Sequence, residues 1–391
     1  MLFLLSLKRI FIFRNHKFNI VGDVMGIEEE IRRIEEELKK TPYNKATQKH
    51  IGRLKAKLAK LREQAQSRGG GGGGKGYAVK KSGDATAAFV GFPSVGKSTL
   101  LNKLTNAKSE VGAYAFTTLT IVPGILEYKG AKIQLLDAPG IIVGASSGKG
   151  RGTEVLSAVR SADLILLTVD IYTLDHLPVL EKELYNVGIR LDQTPPDVKI
   201  KVKERGGINV SSTVPLTHID EDTIEAILNE YRIHNADVVI REDITLEQFI
   251  DVVAGNRVYI PSLVVVNKID LADEEYLKYI KQKLEEFGKD YILVSGNKGI
   301  NLDLLKEKIY EKLGFIKIYL KPQGKKPDFD EPLIMRRGAT VKDVCEKLHK
   351  DFVRNFRYAQ VWGKSAKHPG QRVGLDHKLE DGDILTIVIK R

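Results

Sequence analysis

The chain has 391 residues, is 42% hydrophobic and 29% charged, and carries a formal net charge of +11, the composition of a soluble globular protein with room for two or three domains. The lone cysteine, Cys345, excludes an internal disulfide and suits a reducing cytoplasm, where it reads as a small buried hydrophobe. The eight histidines are scattered, so no Cys/His cluster has the spacing of a zinc site.

Residues 1–24, "MLFLLSLKRIFIFRNHKFNIVGDV", begin apolar but are too short, and too interrupted by Lys8, Arg9 and Arg14, to span a bilayer. They hold no small-residue cleavage site. Two readings remain: translation beginning at Met25, or a surface anchor. Stable membrane insertion is not expected. Residues 25–68 form the next block. Ile27, Ile31, Ile34 and Leu38 fall at helical spacing, as do Ile51, Leu54, Leu58 and Leu61, with Thr41-Pro42 between the runs. The expectation is a helical hairpin whose narrow stripes zip together. Its second half is basic, with eight basic and one acidic side chain over 43–68. The glycine run within 69–83 is read as a linker, because glycine loses too much backbone entropy to order there.

From residue 84 to 314 the texture is α/β. "ATAAFVGF", "KIQLLDAPG", "ADLILLTVD", "SLVVVNKID" and "DYILVSG" read as apolar strands, several of them ending in polar residues, with helices between. That pattern predicts a mostly parallel sheet covered on both faces, with ligands beyond the carboxyl ends of its strands. The interval from Asp137 to Asn267 is longer than one or two strand–helix repeats need. A small α+β insertion is expected at about 175–245, from the alternating "VKIKVKERGGINVSST", the amphipathic "DTIEAILNEYRI", the strand "ADVVIRE" and a capping box starting at Thr245. Residues 315–391 follow a ββαββ order, the pattern of a ubiquitin-like β-grasp, with the helix starting at Thr340. Charge follows these blocks: 84–314 hold 26 basic and 33 acidic residues, and 315–391 hold 17 basic and 10 acidic. Two basic ends around an acidic middle suit a protein that meets a polyanion, although a solvated lysine-rich surface has the same composition.

The chemistry sits at the strand ends. Gly91-Phe92-Pro93-Ser94-Val95-Gly96-Lys97-Ser98 matches G-x-x-x-x-G-K-S between a strand and a helix, with Thr99 next. Its backbone amides can cradle phosphate oxygens, Lys97 can reach the β- and γ-phosphates, and Ser98 can ligate Mg²⁺. Asn267-Lys268-Ile269-Asp270 selects the base. Asp270 can accept from guanine N1 and the 2-amino group, Asn267 can reach the guanine rim, and the Lys268 stem can pack beside the ring. Ser295-Gly296-Asn297 can offer amides to guanine O6. In Asp137-Ala138-Pro139-Gly140, Asp137 can hold the Mg²⁺ shell through water and the Gly140 amide can sense the γ-phosphate. In Phe116-Thr117-Thr118-Leu119-Thr120, either threonine can supply a hydroxyl to the metal. Four boxes in this order at strand ends predict GTP and GDP binding.

These boxes resemble those of the Obg-related GTPases. With the basic hairpin, the insertion and the C-terminal grasp, residues 26–391 resemble the developmentally regulated GTP-binding family. The resemblance implies a GTPase domain followed by a TGS domain, and work around translating ribosomes or RNA. It implies Thr118 rather than Thr117 as the metal ligand beside Ser98, and Lys97, Thr118 and Gly140 as catalytic. Many GTPases place a water-orienting glutamine directly after Asp-x-x-Gly, whereas Ile141 and Ile142 follow here. A hydrophobic residue at that position belongs to the family pattern. Slow intrinsic turnover is expected, with the missing stabilisation coming from K⁺ held by the loop near 113–118 or from a ribosome or protein partner. Asparagine is frequent in potassium-using relatives where Ser94 stands here. A nucleotide-gated adaptor for a regulatory protein and a membrane-surface GTPase are the alternative readings.

Overall fold

The computed structural model describes residues 26–69, 83–105, 122–138 and 158–390. The chain divides into two units, one of residues 1–77, 141–160 and 178–260, the other of 78–140, 161–177 and 261–391.

In the second unit the centre is a six-stranded sheet. Its strands are β1 (Ala85–Val90), β2 (Val122–Tyr128), β3 (Ala131–Asp137), β4 (Leu164–Asp170), β10 (Ser262–Asn267) and β11 (Tyr291–Leu293), ordered β11-β10-β4-β1-β3-β2. All pairs are parallel except β2–β3. Every residue of β1, β4 and β10 is buried, which is why these strands read as unbroken apolar runs. The chain moves from β1 toward β3 on one side and toward β4 on the other. The order therefore reverses at β1, and a crevice opens beyond its carboxyl end. Helix α3 (Lys97–Leu104) starts in that crevice, and Leu100, Leu101 and Leu104 seal it into the sheet's core. Sequence periodicity passes over β2, because it contains Pro123 and Gly124. Both are tolerated on this edge strand. At Gly124 a Cβ would come within 2.5 Å of the Thr105 side chain, so α3 can approach only because that atom is absent.

The same unit carries a five-stranded sheet, β13-β12-β16-β14-β15, from β12 (Phe315–Leu320), β13 (Leu333–Arg336), β14 (Phe356–Trp362), β15 (Gln371–Val373) and β16 (Ile384–Ile389). A helix at Val341–Leu348 packs on it, started by a reciprocal capping box between Thr340 and Asp343. This is the expected grasp with one strand more, since the three residues of β15 are too few to show alternation. Cys345 lies fully buried in its core, and burial pushes the thiol pKa up to about 11, as suits an inert packing residue. Arg336 pairs with Asp163 at 2.8 Å and Lys347 with Asp84 at 2.6 Å, tying this sheet to the six-stranded one.

In the first unit, α1 (residues 26–40) and α2 (Gln48–Gly69) form the expected hairpin, with Ile27, Ile34, Leu58, Leu61 and Ala65 between them. The second helix is not a one-sided zipper. Ala56 joins the core of a three-stranded sheet, β6-β8-β7 (Val198–Val202, Ala236–Ile240 and Ile208–Ser212), which is covered by α5 (Glu221–Glu230) and α6 (Leu246–Ala254). Gly52 is where α2 meets α5, since a Cβ there would lie 2.8 Å from Thr223. Helix α6 begins with the capping box expected at Thr245 and Gln248 and ends on Gly255 at φ 66°. Beside it, Asp251 accepts from Arg190 Nε at 2.5 Å and Nη2 at 2.7 Å, and from Arg257 Nε at 2.9 Å. Arg190 and Asp251 are both buried.

Among the described residues, no helix is long and apolar enough to cross a membrane.

Candidate functional site

The loop from Gly91 to Gly96 leaves β1 and enters α3, and three of its positions show why its residue types matter. Gly91 lies so close to β4 that a Cβ would sit 2.1 Å from the Thr168 carbonyl oxygen. Gly96 has φ 93°, and a Cβ there would sit 2.3 Å from the Asn267 amide nitrogen. Ser94 is held at φ 66°, a left-handed conformation rare for a side-chain-bearing residue and the kind of strain that collects at binding loops. With the first turn of α3, this bend directs backbone amides at one point, a ready seat for phosphate.

Lys97 is buried and donates to the carbonyl oxygens of Gly91 at 3.0 Å and Phe92 at 2.9 Å. Burial lowers its pKa, while the nearby Asp137 carboxylate works in the opposite direction. Ser98 donates its hydroxyl to one oxygen of Asp137, and the other oxygen of that buried carboxylate has no hydrogen-bond partner among the described residues. A hydroxyl beside an orphaned carboxylate oxygen is a donor set that fits a hard divalent cation such as Mg²⁺. Among the described residues no group of three or more His, Cys, Asp or Glu side chains could cage a metal. Few protein ligands suit Mg²⁺, which keeps waters and takes substrate phosphate oxygens.

The base end forms at the ends of β10 and β11. The Asn267 side chain is buried; its amide donates to the Val95 carbonyl at 2.9 Å and its oxygen accepts from the Gly296 amide at 3.0 Å. One side chain thus staples three loops, which explains why only glycine fits at 96. Lys268 stands at φ 65° and its ammonium pairs with Asp170 at 2.7 Å. Asp270 lies on the one-turn 3₁₀ helix Ile269–Leu271 and makes no hydrogen bond or ion pair with another described residue. Ser295 is buried and its hydroxyl accepts from the Lys298 amide, shaping the turn that presents Gly296 and the exposed Asn297. These elements enclose a cavity of about 130 Å³ lined by Ser94, Gly96, Thr99, Asn267, Lys268, Asp270, Ser295 and Asn297. A larger cavity, about 290 Å³, lies in the first unit against Arg190, Asp251 and Arg257. Among its described lining residues Lys55 pairs with Glu247, and Arg190 and Arg257 pair with Asp251, and no phosphate-binding loop is among them.

The structure therefore brings together Gly91 to Thr99, Asp137 with Ala138, Asn267 to Asp270, and Ser295 to Asn297. Phe116, Thr117, Thr118, Leu119, Thr120, Pro139 and Gly140 lie outside the described residues, as do Ile141 and Ile142. Asp170 was not singled out from sequence. The signal was present, an acidic residue closing the apolar strand "LILLTVD", but nothing local says which side chain it meets.

Comparison with known proteins agrees with this geometry. Residues 86–202 match the family model of a 50S ribosome-binding GTPase, residues 205–315 the C-terminal region of that MMR_HSR1 domain, and residues 316–389 the TGS domain. The chain is 51% identical over 370 residues to developmentally-regulated G-protein 3 of Arabidopsis thaliana, covering 93% of this chain and 99% of that protein. It is 51% identical over 369 residues to GTP-binding protein 1 of Schizosaccharomyces pombe, covering 94% and 100%. It is 48% identical over 375 residues to the developmentally-regulated GTP-binding protein 1 homolog of Dictyostelium discoideum, again covering 94% and 100%.

Proposed function

The chain belongs to the developmentally regulated GTP-binding family of Obg-type P-loop GTPases, and from that premise we propose that it hydrolyses GTP to GDP and phosphate as a cytoplasmic switch on ribosomes or RNA. The observation that carries the reading is the Asn267 staple, which joins the phosphate loop to both base loops. A site cross-linked in this way holds its phosphate and base ends at a fixed spacing.

In this reading the amides of residues 94–98 hold the α- and β-phosphates. Lys97 exchanges its carbonyl partners for β- and γ-phosphate oxygens. Ser98, Thr118 and, through water, Asp137 would hold Mg²⁺, which would supply positive charge against that developing on the phosphates. Water attacks the γ-phosphorus, the bond to the β–γ bridging oxygen breaks, and the bridging electrons leave with GDP. The proton lost by water passes to the phosphate released. Asp270, Lys268 and the amides of 295–297 select guanine. The Gly140 amide senses the γ-phosphate and couples its presence to the loops at 113–121 and 137–152.

Isoleucine at 141 and 142 can orient no water, so the extra charge stabilisation would have to be supplied by K⁺ beside the phosphates or by a bound partner. Ribosome or RNA association is supported by the basic ends of the chain, by the TGS match, and by the match to a ribosome-binding GTPase family.

The test is steady-state GTP hydrolysis in matched KCl and NaCl, with and without ribosomes, alongside ribosome co-sedimentation in each nucleotide state. Faster turnover in KCl and GTP-dependent co-sedimentation are expected. Equal rates in the two salts leave the partner as the only source of stabilisation. Absence of co-sedimentation in every nucleotide state would remove the ribosomal role. Binding to RNA should weaken with salt, each phosphate contact adding roughly 0.7–0.9 to the log–log slope.

A second expectation concerns the metal. Ser98→Ala should lower Mg²⁺ affinity by at least about tenfold. Thr118→Ala should act mainly with triphosphate bound. A Mg²⁺ titration of hydrolysis, and of GDP binding, checks both. A greater loss from Thr117→Ala than from Thr118→Ala would reverse their assignment.

A further inference from the structure

Strands β4 and β10 run parallel with Asp170 in register with Asn267, so Asp170 ends its strand beside the base-selecting loop. Its carboxylate is buried, with one oxygen accepting from the Tyr172 amide at 3.1 Å and the Thr173 hydroxyl at 2.9 Å. The other oxygen takes the Lys268 ammonium at 2.7 Å. Burial alone works to raise the Asp170 pKa, but the Lys268 and Thr173 bonds outweigh it and hold the group below the ordinary carboxylate range. Lys268 adopts a left-handed backbone at φ 65°, which is unfavourable for a non-glycine residue and persists only where surroundings over-determine it.

The alternative partner for that ammonium is Asp270, two residues on, which has no ion-pair partner among the described residues and lines the same cavity. An ammonium free to swing would find that carboxylate and take the acceptor that the guanine edge needs. Held by Asp170, it cannot, and the four-carbon stem stays in place as a wall of the cavity.

We propose that Asp170 is a positioning residue of the base site, which anchors the Lys268 ammonium so that its stem walls the cavity and the Asp270 carboxylate stays free for guanine. The inference rests on the guanine-nucleotide reading above. It makes specificity depend on a residue that does not touch the base.

Asp170→Asn is the informative variant, because its amide oxygen can still accept from Tyr172 and Thr173 while the charge that draws Lys268 is gone. The full-length protein is titrated with fluorescent GDP, a GTP analogue and IDP, which lacks the 2-amino donor. The expected result is a roughly tenfold loss of GDP affinity, matching the strength of one charge-assisted hydrogen bond, with an equal loss for the GTP analogue because the effect is on the base. The GDP-over-IDP preference should shrink, which a merely structural role would not produce. Lys268→Met removes the ammonium that Asp170 anchors, so Asp170→Asn added to it should lower the GDP-over-IDP ratio no further than Lys268→Met alone.

An unchanged GDP-over-IDP ratio in Asp170→Asn overturns the proposal. So does a drop in that ratio when Asp170→Asn is added to Lys268→Met. If Asp170→Asn does not fold, Asp170→Thr, which keeps a hydroxyl acceptor without the charge, replaces it in the same titrations, and an unchanged GDP-over-IDP ratio there overturns the proposal. Failure of the wild-type protein to bind GDP would instead overturn the guanine-nucleotide reading itself.

Discussion

Replacing Asp270 by asparagine should weaken GTP and GDP binding by about 100-fold or more and turn the protein toward xanthosine nucleotides. Guanine presents two donors side by side, N1–H and the 2-amino group. A carboxylate meets both with acceptors, and Asp270 makes no competing bond to the described residues. Asparagine offers one acceptor and one donor, so one hydrogen bond is lost and two donors are set against each other. Hydrogen bonds to a charged group contribute about 1.5–3 kcal/mol each, and every 1.4 kcal/mol is tenfold in affinity. Xanthine carries an oxygen where guanine carries the amino group, so the substituted edge matches it. Competitive titration with GDP and XDP reads both halves of the expectation. Undiminished GDP affinity in the variant would mean that the base is read elsewhere than at the 267–270 loop.

Arg190→Leu should destabilise the first unit by about 3–5 kcal/mol, the cost of stranding a buried carboxylate. Asp251 is buried on α6, and Arg190 covers it with two hydrogen bonds, with Arg257 taking a third. The Arg190 guanidinium also lies 3.5 Å from the Tyr185 ring centroid, so its plane is packed as well as paired. Among the described residues, removing it leaves Arg257 as the only side-chain partner of a charge taken out of water. The double substitution Arg190→Leu with Asp251→Leu should recover much of the loss, since no uncompensated charge then remains. Urea unfolding followed by circular dichroism tests this. The single tryptophan, Trp362, belongs to the other unit and reports poorly on this one. A single-variant loss under 1 kcal/mol would show that Arg257 or water suffices for Asp251.

Much of the fold was legible because its signals are local. The strands of a parallel sheet are buried on both faces, so β1, β4 and β10 announce themselves as apolar runs without reference to their partners. The phosphate loop is legible for the same reason: glycine at 91 and 96 and Lys-Ser at 97–98 are dictated by the bend and by the phosphate it meets. The boxes at 267–270 and 295–297 add meaning only by following strands in the right order, and that order too is in the sequence. Capping at Thr245 and Thr340 needs only residues three apart, so both helix starts could be read directly.

Tertiary structure decided what lies between distant residues. Asn267 bonds to Val95, 172 residues earlier, and to Gly296, 29 later. Lys268 meets Asp170 across 98 residues because β4 and β10 are sheet neighbours, a pairing that no periodicity encodes. Ser98 meets Asp137 across 39 residues, because β1 and β3 pair in the sheet and α3 starts beside them. The hairpin's second helix showed one narrow apolar stripe in sequence, yet small residues, Gly52 and Ala56, let another part of its surface pack on the inserted helices and core. Pro123 and Gly124 concealed β2, since their effect depends on whether a strand lies at an edge. Sequence thus determines element type and local chemistry, through side-chain periodicity and backbone sterics. Which polar atoms meet is settled by strand order and register, which form only when the whole sheet does.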